Sequence, residues 1–369
     1  MTYSPRSPLH LPSGRPALGL WQSPGRVNLI GEFTDYNDGH VLPFAIDRRI
    51  VAAVGVRKDR TLVVASRQQQ DVVIWPRDEF DKPPLLNWAS YVMGVIWAFR
   101  QQGVDVPGLE IALDSDVPLG AGLSSSAALT AVTAVAINDI TSADLSPTQL
   151  AGICLTAEND YVGVPTGMMD QFAVIHGRAG HAMLIDCELQ TIDYIPLDLG
   201  SLLVVNTQIR RSNADGNYAK KRRQCALAAE ALGVSSLRHA NIKMVEEGLR
   251  GEMRRIARHV VTEEGRVLDA AGRLIDGRPI GDLLVASHRS LHEDFVVTIP
   301  ELDCVVDTAM NFGAAGARMT GAGMGGCAIV VCDDPLEMSN HIELEFRQRG
   351  FKPPECFTVT PSPGAGVVT

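Results

Sequence analysis

The chain of 369 residues carries no CxxC pair among its seven cysteines. They are odd in number, run from Cys154 to Cys356, and mostly sit in apolar surroundings. That pattern argues against a disulfide frame or a zinc cluster, and reduced thiols in a cytoplasmic protein are expected. No basic block offsets the net charge of −10, so neither nucleic acid nor an anionic membrane is an expected partner. No segment approaches about 20 uninterrupted apolar residues, so no membrane span is expected. Residues 1–16 lack the apolar centre of a signal peptide. Repeats and low-complexity tracts are missing as well, the 34 glycines and 21 prolines being spread along the chain. What is present is apolar material, 46% of the residues, enough for a substantial core and two lobes.

The chain is organised around residues 117–128, VPLGAGLSSSAA. Gly120 and Gly122 allow a backbone that comes close to a ligand. Ser124, Ser125 and Ser126 fall where the free amides and positive end of a following helix point. Amides, hydroxyls and a helix N-terminus in one place form an anion site suited to phosphates. A Gly/Ser linker or an ordinary helix cap fits the same letters. The stretch is neither GxxxxGK[ST] nor GxGxxG, so it is not a P-loop or a dinucleotide fingerprint.

Residues 1–19 are Pro/Ser-rich and read as a surface arm. In 23–47 a strand around 27–30 runs into a loop bearing Glu32, Thr34 and Asp35, closed by the turn signal Tyr36-Asn37-Asp38-Gly39. Carboxylates on such a loop suit sugar hydroxyls, or form a solvated turn. Strands at 50–56, 61–65 and 72–75 read as a meander. A helix follows over 86–101, then a strand over 109–113 and a small-residue helix over 123–137, buried all round by its composition. The next helix, 146–161, starts on Ser146-Pro147 and puts Glu158 near its C-terminus. An acid there requires a positive neighbour, either Mg²⁺ or an arginine. Strands at 181–186 and 202–206 precede Arg/Lys/Ala-rich helices at 213–232, 252–275, 279–296 and 301–312. Strands at 315–319 and 327–332 flank a second glycine-rich loop, 320–327, either a tight turn or a backbone approaching the first loop or the ligand. The last strand is expected at 356–360, with 361–369 a loose tail.

SPGRVNLIGEFTDYNDGHVLP, VPLGAGLSSSAA and ARMTGAGMGGCAIVV together resemble the three ordered signatures of the GHMP kinases, the first in its galactokinase version. VPTGMMDQF, GHAMLIDC, Tyr218 followed by basic residues and Cys225, and SHRSLHEDFVVTIPELD extend the resemblance over residues 20–332. The resemblance implies an α/β (α+β) protein of two lobes with the active site in the cleft between them. They are a ribosomal-protein-S5-domain-2-like lobe over 1–200 and a ferredoxin-like α+β lobe over 201–369. It implies transfer of the ATP γ-phosphoryl group to the anomeric hydroxyl of galactose, as in galactose catabolism by the Leloir pathway; a cytoplasmic monomer is expected. By the same resemblance Gly120, Ala121, Gly122, Leu123, Ser124, Ser125 and Ser126 wrap the phosphates of ATP. Ser126 and Glu158 hold Mg²⁺, Asp170 is catalytic with Arg26 its partner, and Trp88 lies near adenine. Glu32, Phe33, Thr34, Asp35, Asp170 and Tyr218 form the sugar side. Phosphoryl transfer needs alignment and charge neutralisation more than covalent help, and these residue types supply both.

Three departures stand out. Phe33 occupies the place of a usual histidine: facing the sugar it alters recognition near C6, facing the core it is silent. The segment before Trp21 lacks a helical lead-in, and Asn213 replaces an apolar residue. Three other readings remain: an anomeric kinase for N-acetylgalactosamine, arabinose or fucose, a mevalonate or homoserine kinase, disfavoured by the sugar-type motif, and a galactose sensor with poor turnover.

Overall fold

The computed structural model describes residues 9–76, 87–209 and 214–368; Leu86 and Asn213 lie outside them. In chain order it gives β1 (Gly19–Asn28), a 3-10 turn (Asp35–Asn37), β2 (His40–Val41), β3 (Pro43–Arg57), β4 (Leu62–Ser66) and β5 (Val73–Trp75). Next come α1 (Ser90–Gln101), β6 (Gly108–Ser115), α2 (Ser125–Thr141), α3 (Pro147–Thr156) with a π turn (Ala157–Val162), and α4 (Met169–His176). β7 (His181–Asp186), β8 (Thr191–Pro196) and β9 (Ser201–Asn206) lead to α5 (Ala214–Leu232). A 3-10 turn (Leu237–His239), α6 (Ile242–Gly248), α7 (Gly251–Ile275), α8 (Gly281–Ser290) with a second π turn (Leu291–Phe295), and α9 (Pro300–Asn311) follow. β10 (Gly316–Thr320), β11 (Cys327–Cys332), α10 (Pro335–Gln348), β12 (Glu355–Thr358) and β13 (Gly366–Val367) complete the order.

The strands form three sheets. Six run in the order β13-β1-β3-β6-β4-β5, four in the order β10-β11-β9-β12, and three in the order β2-β7-β8. α2 packs against β1 and β3 of the six-stranded sheet on one side and against α1, α3 and α4 on the other. Its small side chains permit this: every residue from Ala127 to Ile137 is buried, as its composition predicts. α3 starts on a capping box, Ser146 and Gln149 each bonding the other's backbone amide, with Pro147 at the first helical position. A second core lies between β9–β11 and helices α5, α7, α9 and α10, and includes Phe295, Leu302, Ile342 and Phe346.

Several sequence expectations need correction. The strands β3, β4 and β5 are not a meander, because β6 inserts between β3 and β4 and pairs in parallel with β4. β8, α6 and α10 were not expected. The tail is not loose: Ser362 N donates to Ala45 O at 2.8 Å, Gly364 N to Gly177 O at 2.8 Å, and β13 pairs with Trp21 and Gln22 of β1. The arm at 9–17 is anchored too, with Leu11 buried over Ala53 and Ala112.

Two glycines in helices allow a contrast. Gly265, exposed in the middle of α7, has open space where a side chain would go, while a Cβ on Gly281 would lie 1.7 Å from the Ala315 carbonyl oxygen. Gly265→Ala is expected to raise stability by about 0.5–1 kcal/mol. Gly281→Ala is expected to lower it by about 1–3 kcal/mol. Urea denaturation of the two variants checks both signs.

Candidate active site

The strand that opens the chain is bent where the site begins. The β1–β3 register shifts between Pro24 and Arg26, and a Cβ on the intervening Gly25 would lie 2.8 Å from the Leu123 carbonyl. Such a bulge re-aims the next side chain. Arg26 N donates to Leu123 O at 3.1 Å and its Nη1 to Gly122 O at 2.6 Å. Its Nε and Nη2 reach Asp170 Oδ1 at 2.7 and 2.6 Å. The first strand, the glycine loop and the first turn of α4 therefore meet at one buried guanidinium.

α2 begins without a cap. Ser124 sits in the left-handed region with φ of 58°, and no side chain accepts from the first-turn amides. Those amides and the positive end of the helix are left for an anion. Beside them, in the π turn, lies Glu158, which is buried. Burial, reinforced by Asp170, pushes its carboxyl up to about 8. Ser126, Thr130 and Gln171 are its polar neighbours. Glu158 Oε1, Ser124 Oγ and both amide atoms of Gln171 are buried without a hydrogen-bond partner. No arginine or lysine pairs with Glu158 among the described residues, so the duller compensation considered from sequence is not the one found. A hard cation fits here. It takes oxygen donors, and one carboxylate plus one hydroxyl suffice when phosphates and water supply the rest. Among the described residues no three of His, Cys, Asp and Glu cluster as a protein-only metal cage.

On the other side of Asp170 stands Asp35. It is half-buried against Gly167, and burial together with the charge of Asp170 pushes its carboxyl up to about 6. Tyr218, half-buried on α5, is T-stacked on Tyr36 with ring centres 5.4 Å apart. Its phenol is raised well above 10 by burial and then by Asp35 and Asp170. Arg26, Asp35, Asp170 and Tyr218 thus face one another, with Glu158 and Ser126 beside Asp170.

Three neighbours expected on the sugar side have partners inside the protein. Glu32 is buried, salt-bridged to the fully buried Arg318, and accepts from Gly321 N at 2.9 Å. Thr34 Oγ1 closes its own turn, donating to Gly31 O and His40 O. Phe33, with φ of 68°, is stacked on Phe295 at 4.3 Å and lies edge-on to His259. Of the two placements open from sequence, Phe33 takes the core-facing one. Trp88, in the turn before α1, is half-buried against the first core. Gly120 is exposed, while Ala121, Leu123 and Ser124 are buried and Gly122, Ser125 and Ser126 half-buried.

The second glycine loop reaches the sugar motif, Gly321 N donating to Glu32 Oε1. It supports the sugar motif from behind: Thr320 Oγ1 donates to Asn28 O at 2.8 Å, and Arg318 Nη1 to Leu29 O at 3.0 Å. Arg318, Gln171 and Thr130 were not picked out from the sequence. Arg318 had one signal, a charge inside an otherwise apolar strand leading into the glycine loop.

Two lobes with an uncapped glycine-serine loop, a buried Arg–Asp pair and a lone buried glutamate make up a GHMP kinase. The chain matches the GHMP kinases N terminal domain over residues 90–178 and the GHMP kinases C terminal domain over 268–342. Residues 13–56 match the galactokinase galactose-binding signature. It is 45% identical to a galactokinase of Streptomyces coelicolor over 94% of this chain and 93% of that one, and 38% identical to one of Mycobacterium tuberculosis over 93% and 97%. The structure of Lactococcus lactis galactokinase complexed with galactose superposes with a TM-score of 0.91 at 30% identity, covering 95% of each chain. A mevalonate kinase of Methanococcus jannaschii shares the fold, with a TM-score of 0.67 at 18% identity. The chain belongs to the galactokinase family.

The raised Glu158 has a measurable consequence in metal-free protein. A carboxyl with a folded pKa above its unfolded value contributes stability below the unfolded pKa, and that contribution is lost as pH rises through the folded value. With EDTA present, the wild-type melting temperature is therefore expected to fall between pH 5 and 8 more steeply than that of Glu158→Gln. Asp35 acts in the same direction in both proteins, so the difference isolates Glu158. Parallel melting curves would remove the assignment.

Proposed function

We propose that this cleft transfers the γ-phosphoryl group of ATP to the anomeric hydroxyl of D-galactose, giving α-D-galactose 1-phosphate and ADP. The observation that carries the reading is the Arg26–Asp170 pair set between an uncapped helix N-terminus and the Asp35–Tyr218 wall. Gly120–Ser126 and the first turn of α2 are assigned to the phosphates of ATP, and Trp88 to the adenine side. Asp35, Tyr218 and Asp170 are assigned to the sugar hydroxyls. Glu32, Phe33 and Thr34 shape the sugar pocket from behind. The two lobes, 1–200 and 201–369, flank the cleft, with the end of the chain returning to the first.

Asp170 is placed to orient the anomeric hydroxyl and take its proton, moving it from the sugar oxygen to the carboxylate. Arg26 fixes that carboxylate and offsets charge developing on the transferring group. Ser126 and Glu158 are the residues to hold Mg²⁺, supported by the orphaned oxygen of Glu158. Bound there, the ion would neutralise phosphate charge. At neutral pH such a cation beside it would favour the charged form of Glu158. Phe33 in the core removes the observation that favoured a sugar altered at C6, and the complete set of Arg26, Ser126, Glu158 and Asp170 gives no support to a sensor. Among the described residues no helix is long and apolar enough to cross a membrane. Six buried free cysteines favour a reducing, cytoplasmic setting. We take the working form to be a monomer acting on galactose and Mg-ATP.

An ADP-release assay with Mg-ATP against galactose, 2-deoxygalactose, fucose, arabinose, N-acetylgalactosamine and glucose tests the reading, with mevalonate as control. Galactose is expected to give the highest kcat/KM; a different winner renames the substrate, and no turnover with retained galactose binding leaves a sensor. Asp170→Asn is expected to lower kcat by about 10²–10⁴-fold while galactose still binds. Activity at the wild-type level would remove Asp170 from the chemistry.

A further inference from the structure

The turn that carries Asp35 is gripped at both ends. On the cleft side Asp35 lies against Gly167, where a Cβ would come within 1.8 Å of Asp35 Oδ2. On the far side three charged side chains, Arg238, Asp186 and Glu264, converge on residues 38–40 and the His40 ring. Arg238, in the 3-10 turn Leu237–His239, donates from Nη1 to Asp38 O at 2.7 Å. The same guanidinium spans the Asp186 carboxylate, with Nη1 to Oδ1 at 2.5 Å and Nη2 to Oδ2 at 2.7 Å. Glu264 of α7 accepts from His40 N at 2.7 Å and holds His40 Nδ1 at 2.6 Å. His40 Nε2 lies 3.3 Å from Asp186 Oδ2, closing the ring. Cys187 N adds a bond to Gly39 O at 3.1 Å.

Three consecutive residues are thus fixed through their backbones, at Asp38 O, Gly39 O and His40 N. Asp38 is itself left-handed, with φ of 60°, so the chain reverses where the clamp holds it. Asp35 begins the 3-10 turn that ends at this reversal. None of the clamp side chains bonds to Arg26, Asp170, Glu158 or the glycine loop at 118–126. The clamp joins segments far apart in sequence: the sugar motif, the end of β7, the turn before α6, and α7. These side chains are mostly sheltered from water, Arg238 and Asp186 being 18% and 11% exposed, so salt screens them less than a surface pair. Their contacts are also directional, because a bidentate arginine fixes both distance and direction.

We infer that Arg238 and Glu264 are positioning residues for the sugar-binding turn, setting galactose affinity through the placement of Asp35 without touching the sugar. This rests on Asp35 as a sugar contact. The nucleotide half of the site lies outside their reach, so the effect is confined to galactose. A structural role alone would lower the fraction of active protein and leave both KM values where they are.

The test is steady-state kinetics of the full chain with Mg-ATP and galactose, normalised by active-site titration, for Arg238→Met, Arg238→Lys, Glu264→Gln and Asp35→Asn. Displacing a contact residue by less than an ångström is expected to raise the galactose KM of Arg238→Met and Glu264→Gln about 5–20-fold. The KM for ATP and the kcat are expected to stay within about 3-fold of wild type, since the groups that act on them are untouched. Arg238→Lys keeps the charge and a donor within reach of Asp38 O, and is expected to recover part of the loss. It also remains informative if Arg238→Met fails to fold. A galactose KM unchanged in Arg238→Lys and Glu264→Gln, or one that rises in step with the KM for ATP, overturns the clamp. If Asp35→Asn alone raises the galactose KM, the sugar reading stands and the clamp falls. If Asp35→Asn leaves it unchanged, the sugar reading of Asp35 falls, and with it the route by which the clamp acts.

Discussion

One guanidinium ties the first strand, the glycine loop and α4 of this molecule together. Arg26 leaves a bulged strand and bonds both the Gly122 carbonyl and the Asp170 carboxylate. Its own amide is bonded to Leu123. Breaking a buried pair by removing one partner generally costs about 3–5 kcal/mol, because the other charge is left without compensation. Here the same bonds fix the glycine loop at 118–126 relative to Asp170. Under the function proposed above, alignment of donor and acceptor would be built into the resting protein.

A second buried arginine does the corresponding work for the sugar motif. Arg318, fully buried on β10, pairs with Glu32 and bonds the Leu29 carbonyl. Glu263 extends the network to Gly31 N, Ser287 and Arg266, at 3.0, 2.6 and 2.7 Å. Burial pulls Glu263 upward, but Arg266 and Arg318 outweigh it and hold its carboxyl well below the ordinary range, down to about 2. His259 beside it is pushed down to about 4 by burial and stays neutral while bridging Glu32 O and Ser290. The positive charges offset the negative ones, so the segment from Asn28 to Phe33 can be buried at the meeting of two cores. Phe33, held left-handed between that network and the Phe295 ring, belongs to this support.

Much of this was legible from local chemistry. The Ser146-Pro147 start, the small-residue helix and the glycine loop gave α3, α2 and the uncapped N-terminus, because capping and burial are written in neighbouring residues. Tertiary placement was not. β4 beside β6 depends on a strand from much later in the chain, and nothing in residues 50–75 signals it. The placement of Phe33 stayed open between sugar and core, because its stacking partner Phe295 lies far away in sequence and no glycine announces its left-handed backbone. α10 was missed although Asp334-Pro335 is a helix start, Asp334 accepting from the amides of Leu336 and Glu337. The charge on Arg318 was visible, but its partners lie almost three hundred residues away.

The pairing of β13 with β1 also governs how the protein must be made. Trp21 finds its partner at Val367, and the segment between Pro361 and Ala365 is bonded to the end of α4 and to β3. On the ribosome, the strand that presents Arg26 and the helix that presents Asp170 emerge early. Their flank stays open until residues 361–367 have been made. Until then the nascent chain holds β1 and α4 with an unsealed sheet edge, an invitation to chaperones and to mispairing alike. Loss of residues 361–367 would thus injure segments synthesised long before them.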